Sequence, residues 1–507
     1  MSASNPNAAN NARRRGVPFL VWLAVSAVCG AFGALGQAPY DQPLASVLSL
    51  ASGFMLWRLQ PGPRSCATIG WTFGTGYFAA VLFWIVEPFQ VDAAQHGWMA
   101  PFALVFLSAG LALFWALAFW TARRVSNAAF GLVFAWAGAE VLRAYVLTGF
   151  PWGSPAQALI DGPASRLLAA FGPHGTTLVM MLFAWSLSVP ANGRDRVSLR
   201  GGQIALLCGI AAALYLPLAQ ASAILTDHWV RLVQPNAAQH LKWQPDMVEV
   251  FFRRQLEYTA APPARPEETP DLIVWPETAI PWPLESAGPA LDAISEASGG
   301  TAVSLGMLRF DEAGPKNALV VLEQDGSPDS VYEKHHLVPF GEYMPLRKWA
   351  DRFGLQALAA SAGSFSKGPG PAVLDFGALG KGMPLICYEA VFAHEVNAAA
   401  ERPDFLIQVT NDAWFGELAG PQQHMAQARM RAIEQGLPLM RAANTGISAM
   451  VDPYGRIVSM LPLNTAGFLD APLPRPLNAT LYSRVGDWPA IAFAFFGLIA
   501  LALRGRT

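Results

Sequence analysis

Charged side chains are scarce in this chain of 507 residues, in which aspartate, glutamate, lysine and arginine together make up 14%. Soluble globular proteins carry roughly 25%. Hydrophobic residues reach 53%, and a soluble protein of that composition would expose large apolar patches to water. The composition therefore argues against an ordinary soluble enzyme and predicts that much of the surface faces lipid.

Cysteine is also rare. The four cysteines form no CxxC pair and have no Cys/His spacing typical of a metal site. A disulfide framework is therefore not expected, and nothing in the sequence signals a metal or a cofactor. The formal net charge is -2 without a basic tract, so no nucleic-acid partner is expected. Three cysteines lie in apolar segments, which leaves Cys387 as the thiol of the polar part of the chain.

Long apolar runs are abundant. Runs of about 20 residues can cross a bilayer as helices, and here they lie at residues 16–35, 43–59, 66–86, 98–121, 127–147, 167–190, 203–221 and 487–503. The mixed region 226–475 stands between the last two runs. We therefore expect an eight-span helical membrane protein, with seven spans within 16–225, one extramembrane domain, the eighth span at 487–503, and short tails at 1–15 and 504–507.

Arginine placement predicts the orientation of these spans, because cytoplasmic loops and tails are enriched in lysine and arginine. The even-numbered loops and both tails hold Arg13, Arg14, Arg15, Arg58, Arg64, Arg123, Arg124, Arg194, Arg196, Arg200, Arg504 and Arg506. The opposite short loops hold only Arg143 and Arg166. Both termini are therefore expected in the cytoplasm, and 226–475 on the exported side of the membrane.

The region 226–475 has the pattern of an α/β domain. Residues 421–436 predict a helix, and Asp452-Pro453-Tyr454-Gly455 predicts a turn between two strands. Short apolar runs predict buried strands at 271–275, 302–308, 317–323, 383–387 and 405–410.

Three reactive side chains of this domain stand near predicted strand ends: Glu277, Lys334 and Cys387. A thiol at a strand-to-helix elbow projects outward, and the N–H groups of a following helix favour its thiolate. A carboxylate of raised pKa can take the thiol proton. An ammonium can stabilise the oxyanion of a tetrahedral intermediate. Together the three residue types predict a site that forms a thioester.

The sequences around these residues resemble the nitrilase, or carbon–nitrogen hydrolase, superfamily. The matching strings are Trp275-Pro276-Glu277, Lys334 with its downstream Glu342, and Cys387-Tyr388-Glu389. Longer strings are similar to its apolipoprotein N-acyltransferase branch, and they are His336-Leu337-Val338-Pro339-Phe340-Gly341-Glu342, Thr410-Asn411-Asp412-Ala413-Trp414-Phe415-Gly416, Gly420-Pro421-Gln422-Gln423-His424, Asn444-Thr445-Gly446-Ile447-Ser448 and, in the apolar part, Thr148-Gly149-Phe150-Pro151-Trp152. The resemblance extends over nearly the whole chain.

The resemblance implies a four-layer αββα sandwich for 226–475, on the periplasmic side of a bacterial inner membrane. It implies that Glu277 is the general base, Lys334 the oxyanion-stabilising group and Cys387 the nucleophile. Glu342 would be an auxiliary carboxylate near Lys334.

Further residues carry roles that the resemblance implies. Tyr388 and Glu389 match positions that shape the pocket. Trp243 and Trp414 are similar to the family's substrate-contacting tryptophans, although ordinary core aromatics remain an equal alternative.

The implied reaction is ping-pong acyl transfer. Cys387 attacks the sn-1 ester of a phospholipid, with phosphatidylethanolamine the expected donor, and a lysophospholipid leaves. The α-amine of the S-diacylglyceryl cysteine of an apolipoprotein then attacks the thioester. The resemblance implies neither a metal nor a cofactor.

Transfer to an amine requires that water be kept from the thioester. The apolar loops around 343–362 are candidates for a lid over the site or for a contact with lipid.

Two other functions fit parts of the sequence. A membrane-tethered nitrilase-type amidase would need one anchor rather than eight spans. A transporter with an accessory domain would need charged residues in several spans and repeated halves, and neither pattern is present. Glu140 and Arg143 lie three residues apart on a predicted span, so we expect them to pair, with lipid headgroup contact as the alternative.

Overall fold

The computed structural model describes residues 18–189, 222–345 and 364–504. Its apolar part contains seven long helices, which are α1 Phe19–Phe32, α2 Pro43–Arg58, α3 Pro63–Val81, α4 Ala100–Val125, α5 Phe130–Tyr145, α6 Arg166–Ser188 and, at the end of the chain, α11 Trp488–Arg504. Each lies within a few residues of a predicted span. The predicted span 203–221 lies outside the described residues.

Length and apolar composition identify which described helices can cross a bilayer. Three qualify: Phe19–Gly36, Ala93–Val125 and Pro163–Ser188. A fourth span is possible if Pro63–Val81 and Phe83–Gln90 count together across their 49° bend. The chain therefore has the helices of a membrane protein, while the count of eight stays a prediction.

Large apolar side chains face outward on these helices. Leu20, Phe106, Leu113, Phe496 and Leu503 are all more than half exposed. Such exposure would be unfavourable in water, whereas a bilayer offers these side chains an apolar solvent. The outer surface of the helices therefore suits contact with acyl chains.

The expected pairing of Glu140 with Arg143 is confirmed. The two side chains are almost fully buried, and Arg143 Nη2 lies 2.5 Å from Glu140 Oε2. Trp115 Nε1 donates to Glu140 at 2.6 Å, and Arg143 also donates to the carbonyl of Trp152 at 2.7 Å. The pair therefore ties α5 to the following loop inside the protein and does not face lipid headgroups.

The polar part of the chain is built on two six-stranded sheets. In the first sheet the strand order is β12-β1-β2-β3-β4-β5. Strand β2 pairs parallel to both neighbours, and the outer pairs are antiparallel. The strands are β1 Leu225–Gln234, β2 Leu272–Val274, β3 Ala302–Asp311, β4 Gly314–Leu322, β5 Pro328–Glu333 and β12 Gly467–Pro474.

The second sheet has the order β11-β10-β9-β8-β7-β6, with β8 parallel to both neighbours. Its strands are β6 Leu374–Asp375, β7 Lys381–Ile386, β8 Phe405–Thr410, β9 Leu439–Ala443, β10 Ser448–Val451 and β11 Ile457–Leu461. The helices of this region are α7 Pro245–Ala260, α8 Gly288–Ser298, α9 Gly420–Gln435 and α10 Leu481–Val485. Two helices of four residues, Ala93–His96 and Ala393–Val396, are also present.

Three apolar clusters show how these elements are layered. Leu232 and Val274 of the first sheet pack with Ile407 and Met440 of the second, so the sheets lie face to face. The outer face of the first sheet packs against α8, and the outer face of the second packs against α9. The layers thus run helix, sheet, sheet, helix, as the family resemblance implies. The predicted strands, the helix 421–436 and the turn at 452–455 are all present.

Helix α9 is buried on two sides. Met425, Ala428 and Ala432 pack on the second sheet. Met430 and Ile433 pack instead with apolar residues of the membrane part, which are Ala38, Ala156, Ile160 and Leu168. Helix α9 is therefore a wedge between the sandwich and the helices of the membrane part.

Candidate active site

Glu277 lies in the loop that follows β2, and three contacts fix it. Its Oε1 accepts a hydrogen bond from Asn317 Nδ2 at 2.6 Å, and its Oε2 accepts from the backbone N–H of Asn411 at 2.8 Å. The loop crosses Gly306 of β3 so closely that a Cβ there would lie 2.5 Å from Glu277 Cα. One carboxylate is thereby held between the two sheets, with 6% of the residue exposed.

Lys334 directly follows β5 and is 1% exposed. Its Nζ donates to Glu342 Oε1 at 2.8 Å and lies 3.6 Å from Glu277 Oε1. Burial alone would lower the pKa of Lys334, but the Glu342 and Glu277 carboxylates outweigh it and raise that pKa above its ordinary value. The site therefore contains a permanent ammonium beside the carboxylate of Glu277.

Cys387 stands where β7 ends, in a left-handed backbone conformation with φ +53°. A side chain with a Cβ rarely adopts this conformation, and such strain is typical of reactive sites. Burial raises the pKa of the Cys387 thiol far above its usual range, Glu277 raises it further, and Lys334 lowers it. The resting side chain is therefore a thiol, and it needs a base before it can attack.

This resting state differs from the sequence expectation that helix N–H groups would favour the thiolate. The chain continues from Cys387 as a short 3-10 helix, Cys387–Val391, and not as a long α-helix. A single turn supplies little of the dipole that a longer helix would. Burial between the sheets is consequently the larger effect on the thiol.

Glu342 and Glu389 have different surroundings. Glu342 contacts Lys334 directly, and its Oε2 accepts the N–H of Val338 at 2.7 Å. Glu389 accepts from the N–H groups of Ile386 at 2.7 Å and His335 at 2.8 Å, so it ties the cysteine elbow to the segment after β5. Glu342 is thus placed to act on the ammonium, and Glu389 to hold the backbone.

Tyr388 points away from the two-sheet interior. Its ring packs edge-on against His336 and Phe392, in the apolar cluster that also contains the membrane helices. The predicted pocket residue therefore lies at the contact between the sandwich and the membrane part.

The two predicted substrate-contacting tryptophans are each partly exposed, Trp243 to 45% and Trp414 to 40%. Trp243 lies 4.8 Å from Lys242 Nζ, which in turn donates to the Glu277 carbonyl at 3.3 Å. Trp414 is three residues after Asn411. Trp243 therefore stands one contact away from a group that binds Glu277, and the partial exposure of both side chains is unlike that of ordinary core aromatics.

Several residues with clear positions in the site were not assigned a role from the sequence. Asn317 of β4 donates to the Glu277 carboxylate, and Lys242, in the loop before α7, donates to the Glu277 backbone carbonyl. Asp412 and His424 lie beneath Cys387 and are fully buried. The sequence strings that contain Asp412 and His424 resemble the family. The resemblance therefore indicates that these residues matter, but it does not imply what they do.

The predicted lid at 343–362 falls mostly outside the described residues. Of it, Tyr343, Met344 and Pro345 are described, and the backbone of Tyr343 pairs with Pro339.

Comparisons with known proteins agree with this architecture. Residues 230–480 match the carbon-nitrogen hydrolase family, and residues 29–186 match the apolipoprotein N-acyltransferase N-terminal domain.

Two relatives are similar over almost the full chain. The chain is 34% identical to the apolipoprotein N-acyltransferase of Rhodopseudomonas palustris over 95% of both chains. It is 36% identical to that of Brucella melitensis, with 94% of this chain and 93% of the relative covered. Among solved structures, an amidase from Nesterenkonia sp. AN1 matches 49% of this chain and 93% of its own, at 19% identity and a TM-score of 0.36.

Proposed function

The chain belongs to the apolipoprotein N-acyltransferase family, and from this premise we propose how its residues carry out acyl transfer. It is an acyltransferase with a carbon–nitrogen hydrolase domain. The acyl donor is a phospholipid, for which we propose phosphatidylethanolamine, and the acceptor is the α-amine of an S-diacylglyceryl cysteine at the start of an apolipoprotein.

The first step acylates Cys387. The carboxylate of Glu277 takes the thiol proton while Sγ attacks the carbonyl carbon of the sn-1 ester. The ammonium of Lys334 stabilises the oxyanion that forms. When the intermediate collapses, Glu277 returns the proton to the leaving oxygen, so the products are a thioester and a neutral lysophospholipid hydroxyl.

The second step reverses these roles. The acceptor amine attacks the thioester carbonyl, Glu277 takes a proton from the attacking nitrogen, and the C–S bond breaks. The sulfur leaves as a thiolate and recovers the proton from Glu277, which restores the resting thiol. The product carries its third acyl chain as an amide.

One observation carries this assignment. A buried ammonium lies 3.6 Å from a buried carboxylate, and both act on the pKa of the same strained cysteine. Since burial keeps Cys387 protonated, the base and the cation are needed together, and Glu277 and Lys334 supply them. Glu342 keeps the ammonium in place, and Trp243 and Trp414 are proposed to contact the substrates.

We also propose the predicted membrane arrangement: seven spans within 16–225, the catalytic domain at 226–475 in the periplasm, an eighth span at 487–503, and both termini in the cytoplasm. Helix α3 supports this orientation. Arg64 stands near its start, and its last residue, Val81, accepts a hydrogen bond from Gln423 of the sandwich at 3.1 Å. The 19 residues of α3 span about 28 Å, so the arginine end and the catalytic end face opposite membrane surfaces.

The orientation can be measured in cells. A cysteine introduced as Ser286→Cys, on the exposed surface of the sandwich, should react with a membrane-impermeant thiol reagent in intact spheroplasts. A cysteine introduced as Thr507→Cys should react only after lysis. The reverse pattern would overturn the proposed topology.

The chemistry is tested with Cys387→Ser in the full-length enzyme. Wild type supplied with phosphatidylethanolamine should release lysophospholipid and accumulate a hydroxylamine-sensitive acyl-enzyme, and a diacylated lipopeptide should then remove the acyl chain. Cys387→Ser should do neither. Cys29→Ser, which alters a thiol in α1, is the matched control and should behave as wild type.

Normal acyl transfer by Cys387→Ser would overturn the nucleophile assignment. An acyl-enzyme that water discharges as fast as the lipopeptide does would instead indicate a tethered hydrolase.

A further inference from the structure

Neighbouring groups must hold the backbone of Cys387 in its observed conformation. Its φ of +53° lies in the left-handed region, which side chains with a Cβ leave unless neighbouring groups fix them. Two side chains hold the carbonyl that follows. His424 Nε2 lies 3.0 Å from the Cys387 carbonyl oxygen, and Gln408 Nε2 donates to the same oxygen at 3.1 Å.

We propose that His424 is a positioning residue for the nucleophile, which fixes the Cys387 backbone and joins it to the membrane part of the chain through Trp152. The proposal rests on the proposed role of Cys387. It adds that the membrane helices help to set the geometry of the reacting sulfur, beyond anchoring the enzyme to its lipid substrates.

A fully buried ion pair stands behind His424. Its Nδ1 lies 2.8 Å from Asp412 Oδ1, and Asp412 Oδ2 lies 2.5 Å from Arg441 Nη2. Although burial raises the pKa of Asp412, Arg441 and His424 hold that pKa at about 2. Arg441 Nη2 also lies 3.3 Å from His424 Nδ1, so the two charged side chains together fix the orientation of the ring.

The same arrangement determines what Nε2 does. It faces a backbone carbonyl, and a carbonyl oxygen only accepts hydrogen bonds. His424 therefore donates from this nitrogen to Cys387. The rigid imidazole ring thus acts as a strut: it holds the Cys387 carbonyl at a fixed distance from the Asp412 carboxylate. A flexible side chain in its place would leave the position of the Cys387 backbone less well defined.

The membrane part of the chain contacts the other surface of this ring. Trp152, in the loop after α5, stacks on His424 with ring centroids 5.6 Å apart and planes 27° apart. The indole N–H groups of Trp152 and Trp84 donate to Gln423 Oε1 at 2.7 and 3.2 Å. Gln423 and His424 are consecutive on α9. The membrane part therefore binds Gln423 through two tryptophans, while His424 contacts the backbone of Cys387.

This connection is continuous and buried. Trp152 is 1% exposed, Gln423 is 2% exposed and His424 is fully buried. Phe415 packs edge-on against both His424 and Trp152. Buried side chains in contact thus connect the loop after α5 with the carbonyl of Cys387, and the proposal is that a displacement of Trp152 would also displace the nucleophile.

The test uses full-length enzyme in detergent and compares His424→Leu, His424→Gln and Trp152→Leu. Two rates are measured per folded molecule: single-turnover release of lysophospholipid, and alkylation of Cys387 by iodoacetamide across pH. We expect His424→Leu to lower the first rate about 100-fold, the loss typical of a reacting group displaced by 1 Å. The donor concentration at half-maximal rate should stay unchanged.

His424→Gln keeps an N–H able to reach the Cys387 carbonyl and should recover about tenfold of that loss, since one hydrogen bond is retained. Trp152→Leu removes the stack and should lower the rate about tenfold, with the strut itself intact. His228→Leu is the matched control, because His228 also pairs with an aspartate but at the surface. It should have no effect on either rate.

A merely structural role for His424 would lower the unfolding temperature while leaving both rates and the pH profile of alkylation unchanged per folded molecule, and that result would overturn the proposal. If His424→Leu does not fold, the same comparison applies to His424→Gln and Trp152→Leu, and wild-type rates in both would also overturn it. Alkylation needs no lipid, so it tests the positioning of Cys387 even if the acyl-transfer assignment fails.

Discussion

Gly306→Ala should displace Glu277, the proposed catalytic base, without changing any of the proposed reactive side chains. A Cβ at position 306 would lie 2.5 Å from Glu277 Cα and 2.7 Å from the Pro276 carbonyl oxygen, whereas ordinary contacts begin near 3.4 Å. The loop that carries Glu277 would have to retreat by about 1 Å to restore van der Waals contact. Strand β3 cannot yield instead, because Gly306 is paired with Leu319 of β4 in the middle of the sheet.

The size of the effect follows from this displacement. Overpacking a site of this kind costs about 1–3 kcal/mol of stability, which a domain of this size should survive. A base moved by 1 Å typically lowers the rate about 100-fold. We therefore expect a folded enzyme that forms its acyl-enzyme about 100 times more slowly.

The assay is single-turnover release of lysophospholipid, with thermal unfolding measured on the same preparations. Gly288→Ala is the control, since a Cβ at Gly288 meets nothing within 4 Å, and it should match wild type in both measurements. If Gly306→Ala forms the acyl-enzyme at the wild-type rate, Glu277 does not depend on this close approach, and our reading of the loop is wrong.

Three further predictions concern buried charges. Glu389→Gln should lower the free energy of unfolding by about 2–3 kcal/mol, because charged hydrogen bonds to buried donors are lost. Chemical denaturation measures this loss. An unchanged midpoint would show that Glu389 does not stabilise the contact between Ile386 and His335. Burial lowers the pKa of Lys242 from 10.5 to about 8, so between these pH values the unfolded chain binds a proton that the folded side chain has released, and the contribution of Lys242 to the free energy of unfolding rises with pH over that window. The free energy of unfolding of wild type minus that of Lys242→Met should therefore rise with pH in a denaturation series from pH 7.5 to 10.5. This difference cancels the opposing contributions of His335 and Cys387, whose pKa values are raised. A difference that stays constant would contradict the lowered pKa of Lys242. Arg143→Met should lower the free energy of unfolding by about 3–5 kcal/mol, because it leaves the Glu140 carboxylate buried and unpaired. In thermal unfolding, the double variant Arg143→Met with Glu140→Leu should recover most of this stability. An equal loss in both variants would show that the charge of Glu140 is not the cause.

Five strands of the sandwich could be predicted from the sequence to within a few residues, for a physical reason. These strands are short apolar runs, because they lie in the interior of sheets that are buried on two faces. The mixed sequences of β1 and β5 did not predict a strand. The positions of Glu277, Lys334 and Cys387 near strand ends follow from the same pattern. Their predicted proximity agrees with the 3.6 Å between Lys334 Nζ and Glu277 Oε1.

The supporting residues could not be predicted in this way. Asn317 is an ordinary polar residue within β4, and it contacts Glu277 only because β4 and β2 belong to one sheet. His424 lies on a helix whose sequence is polar, yet the helix is buried on both sides. Local pattern indicates which residues are apolar, whereas these contacts depend on how distant segments meet.

The wedge formed by α9 has a consequence for the order in which the enzyme assembles. Met430 and Ile433 rest on apolar residues of the membrane part, and in a free sandwich they would face water. The helices α1–α6 leave the ribosome before α9 is made, and N-terminal segments generally fold first during synthesis. The membrane helices are thus folded before α9 and offer the apolar surface against which it packs. The sandwich should therefore complete its folding only after the membrane helices are in the bilayer.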